Sequence, residues 1–217
     1  MDTNFERAQH FVGNTGSNFF TVGKLQLELL KKNGCTPQSQ VLEIGCGCLV
    51  AGRPIMEFLL PNGYVGIEPN TWLIDAAKEG LPEARNLIAT RKPVFLARED
   101  FDASEVCRQF DFVISHSILS HAAHWQLPLF LGSMKRVLAP SGVAIVSLRF
   151  FDDNNRLVGD SNDQEWVYPG VSYFSWETVR KVSADCGLDV AWRKDYRESF
   201  VKEAPSNYHD WIQLKHA

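Results

Sequence analysis

The sequence predicts an α/β fold, a largely parallel sheet with helices on both faces, and three observations lead there. Strand-like and helix-like runs alternate for most of the chain. A short apolar run at 41–44 ends in Gly45-Cys46-Gly47 and meets an amphipathic stretch near Ala51, which reads as strand, tight loop, helix. At 217 residues, 45% of them hydrophobic, the chain suits one domain with ample core.

The elements follow in order. After a polar N-terminal arm, residues 19–32 carry apolar side chains at Val22, Leu25, Leu29 and Leu30 and stop at Asn33-Gly34, as a helix does. Strand one is 41–45. A helix over 51–60 ends in the turn Pro61-Asn62-Gly63, strand two is 64–68, and a helix follows over 71–78. Strand three (93–97), a short helix (103–108) and strand four (110–115) come next. A helix over 127–138 meets Ala139-Pro140-Ser141-Gly142, and 143–148 reads as a central buried strand. The stretch 151–170 has no periodicity and is read as a functional loop. A helix over 176–186 stops at Gly187, and strands over 188–192 and 209–214 bring the total to seven.

Charge and composition exclude several classes. A net charge of −4, with Lys and Arg scattered and Lys31-Lys32 and Arg91-Lys92 the densest pairs, offers no field for a phosphate backbone, so no nucleic acid partner is expected. No apolar run approaches the roughly 20 residues that cross a bilayer, and MDTNFERAQHF lacks the basic start and apolar centre of a signal peptide. A cytoplasmic protein without membrane attachment is the expectation. The five cysteines are odd in number and are read as free thiols. Cys46 and Cys48 have no second cluster at zinc spacing and read as small residues filling a crowded loop, so no metal is expected. Asp152-Asp153-Asn154-Asn155 reads as a solvated turn rather than a cation site.

Glu68 closes strand two about 20 residues after the glycine loop, where a carboxylate can accept from both hydroxyls of a ribose. After strand three, Asp100 can accept from an adenine amino group while Phe101 packs on the ring face. Taken together, E-x-G-x-G at 43–47, Glu68, the Asp100-Phe101 pair, the strand at 110–115 and the stretch LAPSGVAIVSL resemble the Rossmann-like S-adenosylmethionine-dependent methyltransferases, over roughly residues 19–150. The resemblance implies one domain over 1–217, with three αβα layers and seven strands in the order 3-2-1-4-5-7-6, the last antiparallel. It implies S-adenosylmethionine as cofactor, held by Glu43, Gly45, Cys46, Gly47, Glu68, Pro69, Asn70, Asp100, Phe101, Ser115 and His116. The sequence departs from the family at Leu49, where a third glycine is expected, and Gly52 is the spare one. The methionine half of the cofactor has no pyrophosphate, so dense glycine packing is less necessary there.

The polar stretch from Ser115 to His121 would then lie beside the methyl group. In-line methyl transfer rests mostly on alignment, with a base required only where the acceptor carries a proton. His121, one turn into the helix after strand four, is the first candidate base; His116, His209 and His124 are the others. Trp166, Tyr168, Tyr173, Phe174 and Trp176 form a candidate acceptor wall, with 151–175 near the acceptor. Residues 1–34, with Phe11, Phe19 and Phe20, are a candidate lid. The expected acceptor is a small molecule, a metabolite or natural-product intermediate, methylated on oxygen first and nitrogen second. Two other readings compete. An NAD(P)-dependent oxidoreductase of the short-chain type needs Tyr-x-x-x-Lys, whereas Tyr173 is followed at that spacing by Glu177. A non-catalytic cofactor-binding scaffold would keep its biological activity without His121 and His116.

Overall fold

A computed structural model describes residues 2–151, 170–205 and 208–217. Asp152-Asp153-Asn154-Asn155, Trp166 and Tyr168 lie outside the described residues. The sheet grows outward from β1 (Val41–Ile44), whose four residues are all buried. β2 (Tyr64–Ile67) pairs with it in parallel on one side and β4 (Phe110–Ser115) on the other. β3 (Val94–Leu96) extends the first side and β5 (Leu138–Leu148) the second. β7 (Asp210–His216) runs antiparallel between β5 and β6 (Leu188–Trp192). The order is β3-β2-β1-β4-β5-β7-β6, as the resemblance implied.

Parallel neighbours need crossovers, and helices supply them. α3 (Gly52–Phe58) joins β1 to β2; α4 (Trp72–Gly80) and α5 (Pro82–Arg91) lead to β3; α6 (Gln126–Val137) joins β4 to β5. Strand side chains alternate between faces with period two. Val143, Ile145 and Trp211 thus pack with α2 (Ser17–Lys32), α3, α4 and α8 (Lys194–Glu203) on one face. Ala144, Val146, Leu148 and Ile212 pack with α6 and α7 (Trp176–Asp185) on the other. Among the described residues no helix is long and apolar enough to cross a membrane.

Several features differ from the sequence reading. The polar arm contains α1 (Asn4–Phe11), started by a capping box in which Thr3 Oγ1 accepts from Glu6 N and the Glu6 carboxylate accepts from Thr3 N. The signal, Thr-x-x-Glu, stands in the sequence. α5 begins with Pro82 in its first turn and buries only Ala84, so no apolar period announces it. α8 buries only Tyr196 and Phe200 within a highly charged stretch. β5 begins at Leu138 rather than 143, because Leu138 pairs with Phe110 and Val143 with Phe112, so the intervening residues of β5 bulge.

α1 is docked rather than trailing. Gly80 leaves the space that Phe5 fills: a Cβ there would lie 2.3 Å from the Phe5 Cβ. The Phe11 ring meets Trp72 edge-on at 5.6 Å, and a Cβ on Gly47 would lie 3.1 Å from Val12 Cγ1, so the helix end stands against the glycine loop.

Candidate active site

The loop after β1 turns on two left-handed glycines, Gly45 (φ 80) and Gly47 (φ 51). Gly45 N and Cys46 N both donate to Ile67 O, at 2.9 and 3.0 Å, drawing the loop toward β2. A Cβ on Gly45 would lie 2.1 Å from Ile118 Cδ1, so Ile118 rests directly on the turn. Cys46 is buried in a notch left by Gly66, where a Cβ would stand 2.8 Å from its sulfur. Leu49, at the place of the expected third glycine, adopts φ 65 and is fully buried. The left-handed turn is kept; the leucine bears a backbone strain of about 1–2 kcal/mol and contributes core contact in return. The spare glycine serves another purpose: a Cβ on Gly52 would lie 2.6 Å from the Tyr64 hydroxyl.

Glu68, at the end of β2, holds this loop in place. Its Oε2 accepts from Gly47 N at 3.0 Å and its Oε1 from Asn70 N at 2.9 Å, and the residue is buried. Burial raises its pKa, while the two amides oppose the rise. Both oxygens keep a lone pair for a further donor. Pro69 is exposed and Asn70 half-buried beside it.

Glu43 is satisfied within the fold, since Tyr64 Oη donates to its Oε2 at 2.6 Å. Burial pushes its pKa up to about 8, the Glu68 charge adding to the rise and the Tyr64 bond opposing it. The folded value lies above the ordinary 4.5, so folding takes up a proton. The associated stability is complete below the ordinary value and is lost as pH rises through the folded one, at a limiting slope of about 1.4 kcal/mol per pH unit. Glu43→Gln is expected to flatten this fall. Chemical denaturation between about pH 5 and about pH 8 checks it, and parallel pH profiles for both proteins would refute the assignment.

Asp100 is exposed and held by Arg98, whose Nε donates to Oδ1 at 2.8 Å and whose Nη2 contacts Oδ2. These bonds keep its pKa at about 2, so it is an ionised acceptor. Phe101 (φ 63) sets its ring edge-on to Phe130 at 5.2 Å.

A second cluster forms beyond β4. Ser115 is buried and its Oγ donates to Ile44 O at 3.0 Å, tying β4 to β1. The His116 ring stacks on Trp211 (5.4 Å, 18°) and on Phe200 (5.8 Å, 27°) and meets the edge of His209 at 5.0 Å. His209 is buried just before β7, with Nε2 3.3 Å from Ser120 Oγ. Burial pushes its pKa well below the usual imidazole value, and the charges of His116, Arg149 and His121 act the same way. It is a neutral base at pH 7.

The helix expected at His121 is a single 3-10 turn, Leu119–His121. His121 Nδ1 lies 3.1 Å from Gly170 O, and His124 Nε2 lies 2.8 Å from Tyr173 O. The ring contacts thus join His116 to His209, while His121 and His124 engage the 170–174 segment. Of the aromatic wall, Phe174 is buried in the α6–α7 core and Trp176 packs there against Phe150 and Trp192. Sequence reasoning missed Phe200 and Arg149 as members of this cluster, whereas Ser120 lies in the polar stretch it had placed there. The period-two alternation of β7, which puts Trp211 on the same face as His209, is the signal that points to it.

The two clusters lie at the carboxyl ends of β1, β2 and β4. This is where the strand order reverses, the crevice in which open α/β sheets bind ligands. Residues 42–144 match the family model of a methyltransferase domain. No curated protein matches the sequence significantly. Magnesium protoporphyrin IX methyltransferase (ChlM) from Synechocystis PCC 6803, solved with bound SAM, superimposes with a TM-score of 0.63 at 16% identity, over 100% of this chain and 92% of that one. DesVI of Streptomyces venezuelae gives 0.61 at 14% identity over 96% of both chains. A TehB-like SAM-dependent methyltransferase from Corynebacterium glutamicum gives 0.60 at 14% identity, over 97% and 94%. At such identities the likeness is one of fold.

Proposed function

We propose that this chain, whose residues 42–144 match a methyltransferase domain and whose strands take the Rossmann-like order, is an S-adenosylmethionine-dependent methyltransferase that methylates an oxygen, or else a nitrogen, of a small molecule. The observation that carries the reading is Glu68: a buried carboxylate fixed by two amides beside two left-handed glycines. Such a group fits a ribose diol, since each oxygen can accept one more hydroxyl. The positive φ of Gly45 and Gly47 turns the loop's backbone beside Glu68, where the amino-acid end of the cofactor would lie. Asp100 and Phe101 would meet the adenine, and Pro69 and Asn70 flank the ribose. When bound, S-adenosylmethionine supplies a methyl group on a good leaving group.

The chain's own residues then align the acceptor and receive its proton. His209 is neutral and close to His116, whose ring packs in one cluster with Trp211 and Phe200. Ser120 orients the His209 ring through Nε2. Calorimetry with S-adenosylhomocysteine, with NAD as control, tests the cofactor; binding of NAD alone would overturn the reading. The acceptor chemistry is tested with His209→Asn and His116→Asn in transfer of labelled methyl into a pooled small-molecule extract. Transfer reduced about 10²–10⁴-fold is expected in both, with S-adenosylhomocysteine affinity unchanged in His209→Asn. Unchanged transfer would remove the histidine pair as base.

A further inference from the structure

Arg149 follows the last residue of β5 and is not used by the chemistry above. The β5–β7 ladder pairs Ser147 with Trp211 and Leu148 with Asp210, so the next rung sets Arg149 beside His209 on the face that carries Trp211. Two aromatic rings flank its guanidinium: Cζ lies 5.9 Å from the Tyr173 centroid and 5.8 Å from that of Tyr208. Nη1 reaches Tyr173 Oη only at 3.5 Å, and Nε is buried with no hydrogen-bond partner among the described residues. Arg193 and Arg197, by contrast, are paired with Asp195 and Asp210. Among the described residues no carboxylate pairs with Arg149.

A half-buried cation that no carboxylate among the described residues meets, beside the candidate base, is costly unless a ligand supplies the anion. We propose, on the methyltransferase reading above, that Arg149 binds a carboxylate of the methyl acceptor and so selects acidic small molecules. The ring pair confines the guanidinium and leaves its donor edge for a planar, two-oxygen partner, which a carboxylate matches. The bound carboxylate also neutralises the charge that opposes protonation of His209, so the acceptor strengthens its own base.

The test uses the full chain saturated with S-adenosylhomocysteine and titrated with benzoate, benzamide and phenyl phosphate, followed by tryptophan fluorescence. Wild type is expected to hold benzoate about tenfold more tightly than benzamide. Arg149→Gln is expected to erase the preference, and Arg149→Lys to keep part of it, with S-adenosylhomocysteine affinity unchanged in both. Equal affinity for benzoate and benzamide in wild type, or a preference that survives Arg149→Gln, overturns the proposal. A stronger hold on phenyl phosphate than on benzoate overturns the carboxylate assignment. Failure of S-adenosylhomocysteine to bind sinks the methyltransferase reading instead, while the benzoate preference is still read in the same titration.

Discussion

Glu68→Ala is expected to weaken S-adenosylhomocysteine binding by about 100-fold or more. A carboxylate accepting from two ribose hydroxyls makes two hydrogen bonds to a charged group, worth about 1.5–3 kcal/mol each. The loss reaches further than the ligand, because the same two oxygens already satisfy Gly47 N and Asn70 N. Alanine leaves both amides without their partner in a largely dry site, at about 1–3 kcal/mol of stability. Glu68→Gln separates the two effects: its amide oxygen still accepts from one backbone N–H, so folding suffers less than binding. Calorimetry and thermal melts on both variants check this, and affinity within about twofold of wild type for Glu68→Ala would show that the carboxylate does not hold the ribose.

Gly23→Ala carries the second large effect. α2 crosses the glycine loop at Gly23, where a Cβ would lie 2.0 Å from Val50 O and 2.9 Å from Val50 C. The obstacle is backbone, so no side chain can swing aside. A cost of about 3 kcal/mol or more is expected for overpacking of this kind, which in a chain of this size lowers Tm by roughly 6–12 °C. S-adenosylhomocysteine affinity should fall with it, since Val50 can retreat only by moving the loop that carries Gly47. Gly132→Ala in α6 is the control: its nearest neighbour, Arg136 Nη1, is 3.7 Å away, and alanine there should stabilise by about 0.5–1 kcal/mol. Equal melting temperatures for Gly23→Ala and wild type would remove the crossing as a constraint.

The parts of the molecule legible in the sequence are those whose signals are local and repeated. β1, β2 and β4 are nearly continuous apolar runs, and the place of Glu68 after the glycines is fixed by strand-helix-strand spacing. α5 was silent because it buries a single alanine, and α8 because its two buried aromatics stand among charges. Missing α8 also hid Phe200, and with it the stack that holds His116. His209 was visible as a residue, but its closeness to His116 depends on β7 returning antiparallel beside β5, a contact across almost a hundred residues that no local pattern encodes. Leu49 shows the converse. Propensity argues against a left-handed leucine, and tertiary packing overrides it.

The notch at Gly66 has a chemical corollary. Cys46 and Cys48 are both buried; burial raises the Cys46 thiol well above its usual range and that of Cys48 to about 12. Only a thiolate is readily alkylated, so both are expected to stay silent toward iodoacetamide while the loop is closed, and Cys107 differs from them in being exposed. The labelling rate of these two sulfurs is therefore a clock for loop opening, and any molecule that latches the loop shut should slow it without touching either cysteine.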